Sequence, residues 1–290
     1  MDTDSVRRAI SPEMAIEANI YVHRQLVSTG EYARSPHFRP ENKLHVRRLL
    51  ESIVRSYNGG RPWRAIDFGC GTGFIIDLMH DLVDQIDGVD ITREMMNQVD
   101  LSPGNIYLHE SRAESTPFSD GEFDFATSYS FMDHLFDYRA FIKEAARVLR
   151  PGGVFFSDLN PNRAFIEAVA MAESAHGETL RNFPFVFREV DGAIRNGQYY
   201  EKSLGVAAEM LEAAEPVKTL SRGFDAQEVL SVARASGFTD TYVEYEWFLG
   251  QGAIINGSNP EEHEVINRYL RLVEPIAGHL FKYLRFIFVK

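Results

Sequence analysis

The sequence predicts an α/β protein with a parallel sheet covered by helices on both faces. Three observations predict it. From Trp63 onward, short apolar strands alternate with helical patterns, the rhythm of strand–helix units whose strands run parallel. The first strand, Arg64 to Phe68, ends in a run of glycines and passes straight into a helix. The second, Ile86 to Ile91, carries an acidic residue, Asp90, at its end.

The remaining elements follow in order. The N-terminal part, to about Tyr57, is helical, with Leu49, Leu50, Ile53 and Val54 at helical spacing and Arg and Glu on the other face. Asn58-Gly59-Gly60-Arg61-Pro62 breaks it. The helix after the glycine turn is expected to run to about Val83, and a short one over Met95 to Val99 follows the second strand. Ile106 to His109 and Phe123 to Tyr129 are the third and fourth strands. Tyr138 to Leu149 is an amphipathic helix stopped by Arg150-Pro151-Gly152-Gly153, and Val154 to Leu159 is the fifth strand. From Asn160 to Gly223 the rhythm breaks. Two tight-turn dipeptides, Asp191-Gly192 and Asn196-Gly197, lie between strand-like runs, and a helical run from Val206 to Ala214 follows. This reads as an α+β insertion. Asp225 to Ser236 is a helix closed by Gly237, and Thr241 to Phe248 is a sixth strand. Pro260 to about Tyr283 is helical with a kink at Pro275, and Arg285 to Lys290 is a last strand.

Bulk composition narrows the function classes. The chain has 290 residues, 44% hydrophobic and 25% charged, as in ordinary globular proteins. One cysteine, Cys70, excludes a disulfide framework or a multi-thiol metal site within one chain and fits a reducing, cytoplasmic setting. The N-terminus lacks the apolar core of a signal peptide, and no apolar window is long enough for a membrane span. A formal net charge of −12 repels phosphate backbones, so a small-molecule partner is expected and nucleic acid is not.

The chemistry sits in Asp67-Phe68-Gly69-Cys70-Gly71-Thr72-Gly73. A sharp strand-to-helix turn under a bound cofactor needs residues without a Cβ, and the helix beyond offers free N–H groups. A phosphate-binding P-loop would end Gly-Lys-Ser/Thr, but here Phe74-Ile75 follow the last glycine. A dinucleotide fingerprint wants a small residue where Phe74 stands. The carboxylate of Asp90 can accept hydrogen bonds from ribose hydroxyls, a feature shared by NAD and S-adenosylmethionine sites.

With these motifs in order the chain resembles the class I S-adenosylmethionine-dependent methyltransferases, and most of all the branch of ubiquinone/menaquinone-biosynthesis and related small-molecule enzymes. The likeness covers about Trp63 to Leu159 and, more loosely, Phe224 to Phe248. It implies a Rossmann-like, seven-stranded, mostly parallel sheet with an antiparallel last strand. It also implies S-adenosylmethionine as cofactor, S-adenosylhomocysteine as product, and a small-molecule acceptor of secondary metabolism methylated on O, N or C. Asp67, Gly69, Cys70, Gly71 and Gly73 look like the cofactor loop and Asp90 like the ribose acid. Ala113-Glu114-Ser115-Thr116-Pro117-Phe118 resembles the adenine-contacting segment, and Ile91, Met95 and Tyr129 are further contacts. Leu149-Arg150-Pro151-Gly152-Gly153 resembles the family's turn into the fifth strand. The family often has Asp where this chain has Arg112, which has no acceptor for the adenine amino group. The backbone of Ala113, Glu114, or stacking under Arg112 could hold the adenine instead. The organisation that follows is a helical lid over 1–62, a cofactor-binding core over 63–159, an acceptor-shaping insertion over 160–223, and the rest of the core over 224–290 with a helical insertion at 250–284.

Methyl transfer from a sulfonium is an in-line displacement that needs no metal, and a base only where the acceptor's proton is hard to lose. His134, just beyond the fourth strand in Tyr129-Ser130-Phe131-Met132-Asp133-His134, is the candidate base; a structural histidine bonded to nearby backbone is the rival reading. Asp133 reads as a solvated helix start. Tyr21 and His23 are candidates for a lid over the cofactor, or ordinary packing. In the insertion, Phe183, Phe185, Phe187, Tyr199 and Tyr200 could wall an acceptor pocket, and Arg188 and Arg222 could hold an acceptor anion; core packing and surface ion pairs are the plainer uses. The paired tight turns could supply a strand for a homodimer. The apolar run Ile276 to Val289 could lie on a membrane, although a strand already explains it. The rivals to a methyltransferase are a non-methylating protein that binds the same cofactor and an NAD-dependent oxidoreductase.

Overall fold

The computed structural model describes residues 10–34, 38–182, 189–191, 201, 205–255, 257 and 261–290. Seven strands form one sheet in the order β3-β2-β1-β4-β5-β7-β6. β1 (Arg64–Phe68), β2 (Gln85–Asp90), β3 (Ile106–Glu110), β4 (Phe123–Tyr129) and β5 (Leu149–Pro161) are parallel. β7 (Phe281–Val289) inserts between β5 and β6 (Asp240–Phe248), antiparallel to both. The expected α/β sheet with an antiparallel last strand is present. With β7 paired on both sides, the apolar run is sheet from Phe281 to Val289 rather than a surface helix.

Alternation along the strands splits the core into two layers. Ile66, Phe68, Ala126 and Phe155 face the layer capped by α5 (Tyr138–Val148) and α9 (Ala226–Ala235). Ala65, Phe125, Val154 and Phe156 face the opposite layer, capped by α2 (Pro40–Tyr57) and α3 (Phe74–Met79). Each layer removes a row of large side chains from water, the dominant favourable term in folding. α1 (Pro12–Ser28) begins at Ser11, whose hydroxyl accepts the Met14 amide at 3.2 Å, and Pro12 occupies its first turn.

Several element bounds differ from the sequence expectation. α3 ends at Met79 rather than near Val83, and α4 covers Arg93–Met96. β5 starts at Leu149, well before Val154. Arg150-Pro151-Gly152-Gly153 is therefore a bulged stretch of strand as well as a helix stop: the Gly152 amide donates to Lys290 O at 2.6 Å and the Lys290 amide to Gly153 O at 2.9 Å.

The stretch after β5 contains a helix that the broken rhythm did not show, α6 (Arg163–Leu180), capped by the Asn162 side chain accepting from the Ala164 amide and buried only through Phe165 and Val169. α7 (Ala208–Ala214) and α8 (Pro216–Ser221) follow. Most of the strand-like runs and tight turns, with Phe183, Phe185, Phe187, Arg188, Tyr199 and Tyr200, lie outside the described residues. Arg222 is exposed and takes a left-handed conformation at the end of α8. The stretch before β7 is several short pieces, α10 (Gln251–Ile255), α11 (Glu262–Leu272) and α12 (Glu274–Ala277), not one kinked helix. Pro275 lies in the first turn of α12, where a missing N–H costs nothing. No described helix is long and apolar enough to cross a membrane.

Candidate functional site

The site is built at the carboxyl ends of β1, β2 and β4, where open α/β sheets bind ligands. Beyond Phe68 the chain folds over the tip of β2: the Gly69 and Cys70 amides both donate to Val89 O, at 2.8 and 3.0 Å. Gly69 has φ +67°, and a Cβ there would lie 2.0 Å from Phe131 Cδ2. Only glycine fits that position. Gly73, at φ +89°, is the N-cap of α3. The Cys70 side chain is buried and turned toward the sheet, with Sγ 3.0 Å from where a Cβ on Gly88 would stand.

Asp90 closes the turn. Its Oδ2 accepts the Gly71 amide at 2.9 Å and its Oδ1 accepts the Thr92 amide at 2.7 Å. Each oxygen keeps a lone pair for another donor. Burial raises its pKa above the usual carboxylate value, against the pull of the two amides. Asp67, 2% exposed, accepts the Thr127 hydroxyl at 2.8 Å. Burial pushes its pKa up to about 7, the Thr127 bond opposes this, and the nearby Asp90 charge adds to it.

Gly69, Asp90, Ile91, Ala113, Glu114 and His134 line one cleft, roofed by Pro12, Ala15, Ile16 and Asn19 of α1. Two aromatic side chains also lie on the glycine turn. Phe131 packs on Gly69, and the Tyr32 hydroxyl is 3.3 Å from a Cβ position on Gly71, beside Met95 Cε at 3.3 Å. Gly69 and Gly71 thus carry no side chain at the points where these neighbours close over the turn.

Beyond β4 a 3-10 turn, Met132–His134, carries the histidine. His134 Nδ1 lies 2.9 Å from Ala214 O, and its ring meets that of His23 edge-on at 5.0 Å. Burial, then the neighbouring His134, lowers His23 to about 4. Asp133 is 4% exposed rather than a solvated helix start. Burial alone would raise its pKa, but Lys218 at 3.1 Å and His134 hold it below the usual range. Among the described residues Asp133, His134 and Glu215 bring ligand atoms within 4.8 Å of one another. The Lys218 ammonium already bonds both carboxylates, at 3.1 and 2.9 Å.

Residues 66–157 match the methyltransferase domain family. The ubiquinone biosynthesis O-methyltransferase of Burkholderia ambifaria is 30% identical over 146 residues, covering 47% of this chain and 61% of that protein. The namesake of Idiomarina loihiensis is 27% identical over 187 residues, covering 60% and 71%. A crystal structure described as an S-adenosylmethionine-dependent methyltransferase from Archaeoglobus fulgidus shares the fold, with a TM-score of 0.51 at 18% identity over 86% of this chain and 94% of that one. Residues 66–157 are a methyltransferase domain of the S-adenosylmethionine-dependent class. The chain spans about three fifths of the length of the first curated relatives it matches, 57% and 61%.

In this methyltransferase domain the glycine turn, Asp90, Ile91, Met95, Ala113, Glu114 and His134 come together as the sequence arranges them. Tyr129 and Tyr21 do not join them. Tyr129 stacks on Phe74 at 4.8 Å and accepts from Asn42 Nδ2 at 3.1 Å, in the layer under α2. Tyr21 is 43% exposed on α1 and does not line the cleft; the tyrosine that reaches the glycine turn is Tyr32. Arg112 lines the cleft and bonds Glu114 Oε1 at 3.2 Å. The methyltransferase domain thus pairs its departure from the family pattern with an adjacent carboxylate. Phe131 and Asn19 were not among the residues singled out from sequence. Phe131 lies inside the segment that leaves β4, a usable signal; Asn19 and Tyr32 carry none.

Proposed function

We propose that the chain transfers a methyl group from S-adenosylmethionine to a small-molecule acceptor, with His134 as the base. The observation that carries this reading is Asp90: its carboxylate is half-buried, held on both oxygens by backbone amides of the glycine turn and the next turn, and faces the cleft. That is how a carboxylate is preorganised to accept ribose hydroxyls. Gly69 and Gly71 let an adenosyl amino acid approach the backbone. Asp67 supplies a buried carboxylate near its amino-acid end, and Ala113 and Glu114 supply backbone and side-chain partners for adenine.

When bound, S-adenosylmethionine supplies an electrophilic methyl group whose departure leaves S-adenosylhomocysteine, a neutral thioether that needs no proton. The residues of the chain then have three tasks. They align acceptor and methyl, exclude water, and take the acceptor's proton. α1 roofs the cleft, and the imidazole of His134 lines it. A small acceptor is supported by the net charge of −12 and by relatives named as ubiquinone biosynthesis O-methyltransferases. A base in the cleft favours an acceptor whose reacting atom carries a proton.

Incubation with S-adenosylmethionine and a panel of phenolic, amine and carboxylate acceptors, followed by mass spectrometry, tests this. A mass gain of one methyl group with equimolar S-adenosylhomocysteine is expected. Tight S-adenosylhomocysteine binding with no methylated product from any acceptor would instead favour a non-methylating protein on this fold.

A further inference from the structure

One backbone oxygen joins the lid, the insertion and the candidate base. The carbonyl of Ala214, the last residue of α7, lies 2.9 Å from His134 Nδ1 and accepts from Asn19 Nδ2 at 3.3 Å. A carbonyl oxygen only accepts, so the His134 nitrogen facing it must carry the proton. The imidazole is then an Nδ1–H tautomer with its lone pair on Nε2. His23 follows the same rule, its Nδ1 lying 2.9 Å from Asn19 O. Asn19 is 9% exposed, and α1 and α7 pack around it through Ala18, Val22, Leu211, Ala213 and Ala214. A polar side chain buried in an apolar contact needs a reason, and its amide is spent on the one carbonyl that His134 also uses.

We propose that Asn19 is a positioning residue: it holds the Ala214 carbonyl against His134 and so fixes the base as the Nδ1–H tautomer, with Nε2 ready to take the proton of an acceptor hydroxyl. The proposal rests on the methyl-transfer reading above. In the step it serves, the acceptor's O–H proton passes to His134 Nε2 and an oxygen lone pair forms the new C–O bond to the methyl carbon. The C–S bond breaks with its electron pair going to sulfur. The sulfonium charge is lost, one imidazolium charge appears, and the imidazolium later releases its proton to water. A base in the wrong tautomer would present N–H to the acceptor and could not take its proton. The titratable and charged groups packed around His134 are His23 of α1, Tyr32 beside it, Asp133 next in the chain, Glu215 and Lys218 at α8, and Asp90 at the tip of β2.

The test uses the full chain with 15N-labelled histidine. Long-range proton–nitrogen spectra of the wild type should show His134 as the Nδ1–H tautomer, and Asn19→Leu should shift it toward a mixture. With an acceptor that turns over, Asn19→Leu should lower kcat about tenfold, part of the 10²–10⁴ a general base contributes, with KM held within about twofold. The acid limb of its kcat/KM profile should move, and Asn19→Ser, which keeps a donor, should recover part of the loss. An Nε2–H tautomer in the wild type overturns the proposal even if no variant folds. So does a folded Asn19→Leu with unchanged tautomer and pH profile. Calorimetry with S-adenosylhomocysteine on the same samples separates the two readings: a correct tautomer in a protein that does not bind it defeats the methyl-transfer reading and leaves the hydrogen-bond assignment standing.

Discussion

The Gly71 amide donates to Asp90 Oδ2 at 2.9 Å across 19 residues of chain, locking the glycine turn after the first strand to the tip of the second. This bond makes the two parts of the cofactor motif one object. The carboxylate cannot swing away without breaking the turn, and the turn cannot open without freeing the carboxylate.

Asp90→Ala should therefore weaken S-adenosylhomocysteine binding strongly. Loss of hydrogen bonds to a charged group costs about 1.5–3 kcal/mol each, so the Kd should rise about 100-fold or more. Isothermal titration calorimetry measures it. A change of less than about threefold would mean that the carboxylate does not hold the ribose.

Gly69→Ala puts a Cβ 2.0 Å from Phe131 Cδ2 on a backbone at φ +67°. We expect a lower melting temperature and lost cofactor binding. In Gly69→Ala/Phe131→Ala the steric part should recover, leaving the left-handed backbone cost of roughly 1–2 kcal/mol. Differential scanning calorimetry of the wild type and the two variants separates the two contributions; equal destabilisation of the single and double variants would show that the Phe131 contact is not the cause.

The fold was largely legible in the sequence because its signals are local. The glycine turn, the acidic end of β2 and the apolar run of β7 each follow from a few consecutive residues. α6 was harder: Phe165 and Val169 are its only buried hydrophobic residues, so its apolar stripe is too thin to register. The one helix kinked at Pro275 that the sequence predicts is two helices instead, because a proline suits the first turn of a new helix as well as a kink. Within the site, the glycine turn and Asp90 come from consecutive motif residues, whereas Tyr129 on β4 turns into the layer under α2 and residues that reach the cleft from far away leave no local signal. Asn19 and Tyr32 come from the N-terminal segment, and only packing tells Tyr32, on the turn, from Tyr21, which faces solvent.

Asp67 ties stability to pH. In the folded chain burial pushes its pKa up to about 7, from an ordinary value of 3.8. Between those values the folded protein holds a proton that the unfolded chain has lost. Its stabilising contribution is complete below 3.8 and is lost as the pH rises through about 7. Asp67→Asn removes this decline. Melting curves from pH 5 to 8 should fall less steeply for the variant than for the wild type, and parallel curves would contradict the assignment.

His134→Gln should lower kcat by about 100-fold or more if the imidazole takes the acceptor's proton, with S-adenosylhomocysteine affinity within about threefold. Steady-state kinetics beside calorimetry decides it. Equal loss of affinity and turnover would place the histidine in cofactor binding instead.

The cleft's ligand is the central claim, and titration calorimetry of the full chain against S-adenosylhomocysteine and NADH tests it most directly. The account predicts saturable one-to-one binding of S-adenosylhomocysteine and no heat of binding with NADH. Saturable binding of NADH with none of S-adenosylhomocysteine would contradict it.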